Sequence, residues 1–349
     1  MTVPGPARLV CPSCRRPDAE GRLRVVLLPD DLCCPGCGTR YPSVDGIACV
    51  PPDLAGFEAA QRPGELPPWL PALPGDAGAI EACRSCAGLE PGTPDFTEAL
   101  LPAIFGLALY PAPDSRESRT LGIDRNLSTL AVLRGWLDRV PLPGAPASCC
   151  LEVGCGPGGI LHELAPRFPG GAIGFDLRLG LLRLAARIAD AGFATLPFRV
   201  EGTRFEPVRV GPGRRPGGPI RLVQGDLSSP PFEAEVFPLV AALSVLDTVV
   251  DPLLGLGQLD ALLAPGGLLL LTTPYHWEPA VTPPASWWSG PDQDGIETLR
   301  ALLSGAHPAL PWLAYDLLEE AEDLPWVLPG HRRLAHNFTL HAILARKRG

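Results

Sequence analysis

The sequence predicts an α/β protein built on a doubly wound, mainly parallel sheet, preceded by a small cysteine-rich module. Three observations carry that prediction. From residue 148 onward, short apolar runs alternate with segments of helical period. The glycine-rich run LEVGCGPGGI lies directly between the first such strand and the next helix. The first fifty residues hold two C-x2-C pairs.

At 349 residues with 46% hydrophobic residues, the chain buries a full core and divides into one large and one smaller domain. A net charge of −9 and a single lysine, Lys347, disfavour a nucleic-acid partner, whose affinity rests on phosphate neutralisation by Lys and Arg. No segment approaches the roughly 18 apolar residues a membrane helix needs. MTVPGPARLV has no basic start followed by an apolar run, so the expectation is a cytoplasmic protein without a membrane partner. Eleven cysteines in that compartment read as metal ligands and core thiols, not as a disulfide framework.

Residues 1–52 read as the cysteine module, 53–120 as a Pro/Gly-rich linker with some helix, and 121–349 as the sheet domain. NLSTLAVLRGWLDRV carries apolar residues at helical spacing, and PLPGAPA stops it before the buried run SCCLEV. Strand 148–153 leads into a helix through His162 and Leu164. Strand AIGFD, 172–176, leads into LRLGLLRLAARIADAG, ended by Gly192. A Pro/Gly/Arg insertion at 196–219 reads as a surface loop or hairpin. IRLVQGD and PLVAALSVLD follow as strands, then DPLLGLGQLDALLAPGG as a helix capped by Asp251 with Pro252 at its first position. The strand LLLLTTP and the alternating segment NFTLHAILARK complete the pattern. In such a sheet, ligands sit at the carboxyl ends of the strands.

Gly154, Gly156 and Gly159 form G-x-G-x-x-G, which by itself also fits a dinucleotide site. Glu152, Gly154, Gly156 and Gly158 form acidic-x-G-x-G-x-G, and with it the block from about 120 to 349 resembles class I S-adenosylmethionine-dependent methyltransferases. That resemblance implies a Rossmann-like sheet of seven strands with the last antiparallel, and S-adenosyl-L-methionine as cofactor. It places Asp176 on the ribose hydroxyls, a role both families share, and Asp226 with Leu227 beside the adenine. Ser244 completes the expected cofactor set, and Glu152 complements the cofactor's cationic amino group. The plainer alternatives are a packing or helix-end carboxylate for Glu152, and turn acids for Asp176 and Asp226.

Cys11-x2-Cys14 and Cys34-x2-Cys37 have the spacing of a tetrahedral structural zinc site, closed by four thiolates. Cys33 competes with Cys34, but only Cys34 completes the second C-x2-C. The continuation YPSVDGIACV resembles the small zinc-ribbon protein that activates tRNA and translation-factor methyltransferases, which implies a zinc ribbon and leaves open a protein partner bound through it. Cys83 and Cys86 read as a surface pair without a metal, and Cys149, Cys150 and Cys155 as small packing residues.

TTPYHWEPAVTPPASWWSG, Thr272 to Gly290, carries three of the seven tryptophans in a stretch its prolines keep out of helix and sheet. With SVLDTVVDP before it and EDLPWVLPGHRR after it, this region resembles mercaptohistidine N1-methyltransferases of ovothiol biosynthesis. Ser244 departs from the asparagine expected there, and the zinc module is foreign to that architecture. The resemblance implies N-methylation of a histidine or imidazole derivative, with Asp247, Tyr275 and His276 as catalytic residues and aromatic rings as a cage. Trp287 and Trp288 equally read as packing residues, His276 as an exposed loop histidine, and Asp247 as a cap. Two other function classes stay open: an RNA methyltransferase reading its substrate through the zinc module, and a partner protein that binds cofactor without turnover.

Overall fold

The computed structural model describes residues 7–17, 23–60, 76–143 and 148–349, so linker residues 61–75 and the stop at 144–147 lie outside it. The cysteine module forms two short hairpins, β1 (Arg16–Pro17) with β2 (Leu23–Arg24), and β3 (Ser43–Val44) with β4 (Ile47–Cys49). Four helices follow: α1 (Leu54–Ala60), α2 (Asp76–Ala87), α3 (Pro94–Leu109) and α4 (Arg116–Leu121). Thr93 accepts from the Phe96 amide to start α3, and Ser115 accepts from the Ser118 amide to start α4. The amphipathic run of α5 (Asn126–Arg139) precedes the sheet.

From there the alternation holds. β5 (Cys150–Val153), α6 (Leu161–Leu164), β6 (Ala172–Asp176) and α7 (Leu179–Ala191) come first, with Gly192 ending α7 at φ +83°. The insertion is the antiparallel hairpin β7 (Ala194–Glu201) and β8 (Arg204–Val210). Next come β9 (Ile220–Gln224), β10 (Phe237–Leu243), α8 (Pro252–Leu262) and β11 (Leu263–Thr273). The Asp251 carboxylate accepts from the Leu254 amide at the start of α8, but the helix stops at Leu262, and the expected helical tail APGG belongs to β11. α9 (Gly295–Ser304), β12 (Tyr315–His331) and β13 (Leu334–Lys347) finish the chain.

The sheet order is β12-β13-β11-β10-β5-β6-β9-β4-β3. Seven of these strands form the doubly wound sheet, with β13 antiparallel to both neighbours. The other two come from the cysteine module: β4 pairs in parallel with β9, Ala48 opposite Val223 and Cys49 opposite Gln224. The module's hairpin therefore continues the sheet. Central strands are buried on both faces, as their unbroken Val, Leu and Ala runs require.

In the stretch expected as a linker with some helix, the helices are packed against neighbouring elements. α2 and α3 cover the β7–β8 hairpin, where Phe96 meets Phe205 edge to face at 6.2 Å. Cys83 and Cys86 point into that contact and are buried, so the expected surface pair is a core pair. The far end of β12 reaches the same layer through fully buried Val327. Together these elements form a roof beside the glycine loop.

Candidate cofactor and acceptor site

The turn after β5 is left-handed at Gly154 (φ +64°) and Gly156 (φ +51°). A Cβ on Gly154 would lie 2.4 Å from Val245 Cγ2, so only glycine lets this turn pass under the end of β10. The Gly156 amide donates to Asp176 Oδ2 at 2.8 Å, and the Arg178 amide donates to Asp176 Oδ1 at 2.8 Å. Asp176 thus ends β6 as predicted, and shapes the glycine turn as well. Gly158 is left-handed too, packed toward Ala185 of α7.

Glu152 lies inside the sheet at 2% exposure, and its Oε2 has no hydrogen-bond partner among the described residues. Burial and then the nearby Asp176 charge push its carboxyl well above the usual range. A buried carboxylate oxygen without a partner, at the foot of a glycine turn, fits the cationic amino group of S-adenosyl-L-methionine. Asp226 lies half-buried two residues past β9 and accepts from the Ser228 amide at 2.7 Å, with Leu227 buried beside it. Ser244 follows the last residue of β10 at φ +53°, its amide donating to the Thr272 carbonyl at 2.8 Å. The residues present therefore suit the cofactor that the motif implied.

The roof closes this end of the sheet. Tyr110 Oη donates to the Pro157 carbonyl at 3.1 Å, and its ring meets buried His162 edge to face at 6.0 Å. A Cβ on Gly159 would lie 2.6 Å from Leu109 Cβ, so α3 rests directly on the glycine loop. Neither Tyr110 nor Leu109 stood out in the sequence, because ALLPAIFGLALY reads only as an apolar helix.

Across β10 lies the second half of the site. Asp247 is 2% exposed and its Oδ1 has no partner among the described residues. Burial raises its carboxyl from 3.8 to about 6, against the opposing pull of the Asp247 and His276 amides, the His276 charge and the Thr273 hydroxyl. The loop after β11 folds over it: the Glu278 amide donates to the Asp247 carbonyl at 3.0 Å, and Thr282 Oγ1 donates to it at 3.2 Å. Asp247 is therefore a buried carboxylate under the aromatic loop, not a helix cap.

Within that loop, Tyr275 and Trp277 hold φ of +52° and +50°, a left-handed conformation that costs energy for bulky residues. Trp277 and Trp288 are buried and meet edge to face at 5.3 Å, within the cluster that includes Leu299 and Leu302. Trp287 Nε1 donates to the Thr282 carbonyl at 2.9 Å. These tryptophans pack the loop onto the sheet. His276 is exposed, its ring edge-on to Phe338 of β13 at 5.4 Å.

Tyr275 Oη lies 2.8 Å from His341 Nδ1, and His341 Nε2 lies 2.9 Å from Glu320 Oε1. His341 and Glu320 were invisible in the sequence, since a histidine in an alternating strand and an acid in an edge strand carry no distinguishing pattern.

In the N-terminal module, the Sγ atoms of Cys11, Cys14, Cys34 and Cys37 all lie within 4.8 Å of one another. Cys33 points elsewhere, toward the Gly38 carbonyl. The donor set is four thiols from two knuckles, which fits a closed tetrahedral metal site.

A family model described as "Methyltransferase domain" matches residues 124–344. No curated protein matches the chain. Among solved structures, an S-adenosylmethionine-dependent methyltransferase from Methanosarcina mazei aligns at 18% identity and TM-score 0.39, over 61% of this chain and 96% of that one. A complex of the Haloferax volcanii Trm112 methyltransferase activator with a methyltransferase gives 15% identity and TM-score 0.40, over 68% of this chain and 96% of that one. Haemonchus contortus phosphoethanolamine N-methyltransferase 2 gives 21% identity and TM-score 0.30, over 42% of this chain and 28% of that one.

Proposed function

We propose, from the premise that this chain belongs to the methyltransferase-domain family, that it uses S-adenosyl-L-methionine to methylate a nitrogen of a small histidine-like or imidazole compound. The observation that carries this reading is the buried, half-unpartnered carboxylate of Asp247 beneath the aromatic loop. A neutral imidazole offers one N–H and one lone pair. A carboxylate that accepts the N–H leaves the opposite nitrogen as the nucleophile, balances the positive charge of the methylated ring and can take its N–H proton.

S-adenosyl-L-methionine, when bound, supplies an electrophilic methyl group. Glu152 would hold its amino group, the turn Gly154–Gly158 its methionine part, Asp176 the ribose, and Asp226 with Leu227 the adenine. Ser244 lies between the two halves. Transfer of a methyl from sulfur needs a positioned nucleophile more than a strong base, which suits a rigid carboxylate and a loop fixed by packed tryptophans. Tyr275 and His276 flank the acceptor in this reading, Tyr275 from the strained turn and His276 from the exposed rim. The roof over the glycine loop favours a small acceptor over a polynucleotide, as does the net charge of −9.

The four thiols hold a structural zinc in this reading, and residues 1–52 act as a built-in zinc ribbon on a methyltransferase of residues 121–349. The helices between them cover its site. The ribbon's outer face leaves a protein partner open. No helix among the described residues is long and apolar enough to cross a membrane, in keeping with a cytoplasmic enzyme.

The test is release of S-adenosylhomocysteine from the full-length protein with a panel of imidazole amino acids and RNA as acceptors. The reading expects turnover on an imidazole compound, lost by about 10²-fold or more in Asp247→Ala. Full turnover in both Asp247→Ala and Tyr275→Phe refutes it, as does methylation of RNA alone.

A further inference from the structure

Behind Tyr275 lies a partly buried chain of hydrogen bonds with a fixed direction. Arg300 of α9 donates through Nε to Glu320 Oε1 at 2.9 Å, and also to Glu297 at 2.6 Å and Glu322 at 3.0 Å. Burial opposes ionisation of Glu320, but hydrogen bonds from Arg300 and His341 outweigh it and hold its carboxyl below the usual range. An ionised carboxylate only accepts. A neutral His341 must therefore carry its proton on Nε2, facing Glu320, and present a lone pair at Nδ1. At 2.8 Å from that lone pair, Tyr275 can only be the donor.

Resting on the imidazole reading above, we propose that His341 is a positioning residue that commits the Tyr275 proton inward, so that Tyr275 Oη meets the acceptor molecule as an obligate hydrogen-bond acceptor. The tyrosine ring is held for this by stacking on His341, 6.0 Å between centroids at 21°. The charges facing Tyr275 agree: Asp294 at the start of α9 and Glu320 and Glu322 of β12 are acids, and the Arg300 guanidinium opposite them is itself shared among three carboxylates. With Asp247 also accepting, the site asks for a substrate with two donors. One is the imidazole N–H at Asp247, and the other is an ammonium group at Tyr275. That selects an imidazole amino acid with a free amine over the same skeleton without one.

Two measurements on the full-length protein decide this. Nitrogen-15 NMR of labelled histidines at pH 8, with His341 assigned from His341→Phe, should show the Nε2–H tautomer. Its Nδ1 resonance should shift in Tyr275→Phe. A Nδ1–H tautomer, or no shift, overturns the wiring. Arg300 Nε and His341 Nε2 share Glu320 Oε1, so an amide oxygen in Glu320→Gln would keep the tautomer, whereas Glu320→Leu removes the acceptor and should relax the Nε2–H preference.

Calorimetry in the presence of S-adenosylhomocysteine then compares L-histidine with 3-(imidazol-4-yl)propanoate. L-histidine should bind about tenfold more tightly, roughly the worth of one charge-assisted hydrogen bond, and the ratio should fall toward one in Tyr275→Phe and Glu320→Leu. Equal binding in the unaltered protein overturns the selection for an amine. Failure of both probes to bind sinks the imidazole substrate, while the wiring of Tyr275 stands or falls on the tautomer alone.

Discussion

Asp247 sets function against stability within one side chain. Its folded carboxyl lies near 6, above the ordinary 3.8. The folded state therefore binds the proton more tightly than the unfolded chain, and stability falls as pH rises from about 4 to 6 and stays lower above that. A shift of this size corresponds to about 2–3 kcal/mol at neutral pH. Asp247→Asn removes the buried charge and keeps the shape. Calorimetric melting should show the variant several degrees more stable than the parent at pH 8 and level with it at pH 4, while methyl transfer drops. A lower melting temperature at pH 8 would mean that the carboxylate is held by partners the present geometry lacks. Gly154→Ala makes the opposite case: with φ at +64° and Val245 Cγ2 2.4 Å from the new Cβ, the turn must open, and binding of S-adenosylhomocysteine should weaken at least tenfold by calorimetry.

The roof elements depend on one polar residue at the start of α5. Asn126 is fully buried; its Nδ2 donates to the carbonyls of Ala108 and Val327 at 3.0 Å each, and its Oδ1 accepts from the Val327 amide at 2.7 Å. It ties α3 and β12 together over the glycine loop. Asn126→Ala orphans an amide and two carbonyls and should cost about 2–4 kcal/mol in urea denaturation, with weaker cofactor binding at concentrations where the fold survives. A variant with parental stability would show that the roof is held by apolar packing alone. The contrast with the sheet explains what the sequence revealed. AIGFD, PLVAALSVLD and the glycine turn announce themselves, because buried parallel strands need unbroken apolar runs and a left-handed turn needs glycine. The roof does not, because its helices arise in a stretch rich in proline, glycine and alanine, and its contacts are distant in sequence. Asn126 at a helix start and His341 in an alternating strand look like ordinary surface choices until the topology buries them. The same limit applies to the aromatic loop, whose composition marked it as special, while only packing separates core Trp277 and Trp288 from exposed His276.

At the scale of the molecule, the cysteine module and the side of the site proposed for adenine share one edge. Besides the β4–β9 pairing, the Val50 amide donates to the Gln224 carbonyl at 2.8 Å, two residues before Asp226. The Val10 amide donates to the Pro231 carbonyl at 3.0 Å, and Arg15 donates to the Pro230 carbonyl at 2.8 Å. Asp45 pairs with Arg183 of α7, the helix that follows Asp176. The loop carrying Asp226 and Leu227 is therefore fastened at its far end by residues that lie among and beside the four thiols. The few buried side chains of this module, chiefly Leu28, Leu32, Tyr41 and Val50, do not make a self-sufficient core, so a metal in the four-thiol site would hold its shape. If the site holds zinc as proposed, removal by a chelator should free the edge of β9 and loosen the Asp226 loop. Affinity for S-adenosylhomocysteine should then fall about tenfold, the worth of one or two backbone hydrogen bonds that no longer hold the loop. Restoring zinc should restore it. Cys37→Ser should act in the same direction without a chelator present. Because the coupling runs through the Asp226 loop, Asp226→Ala should weaken binding on its own and make the remaining affinity insensitive to zinc. Affinity unchanged by metal removal, in protein whose metal content has been shown to fall, would leave the ribbon as a passive extension of the sheet.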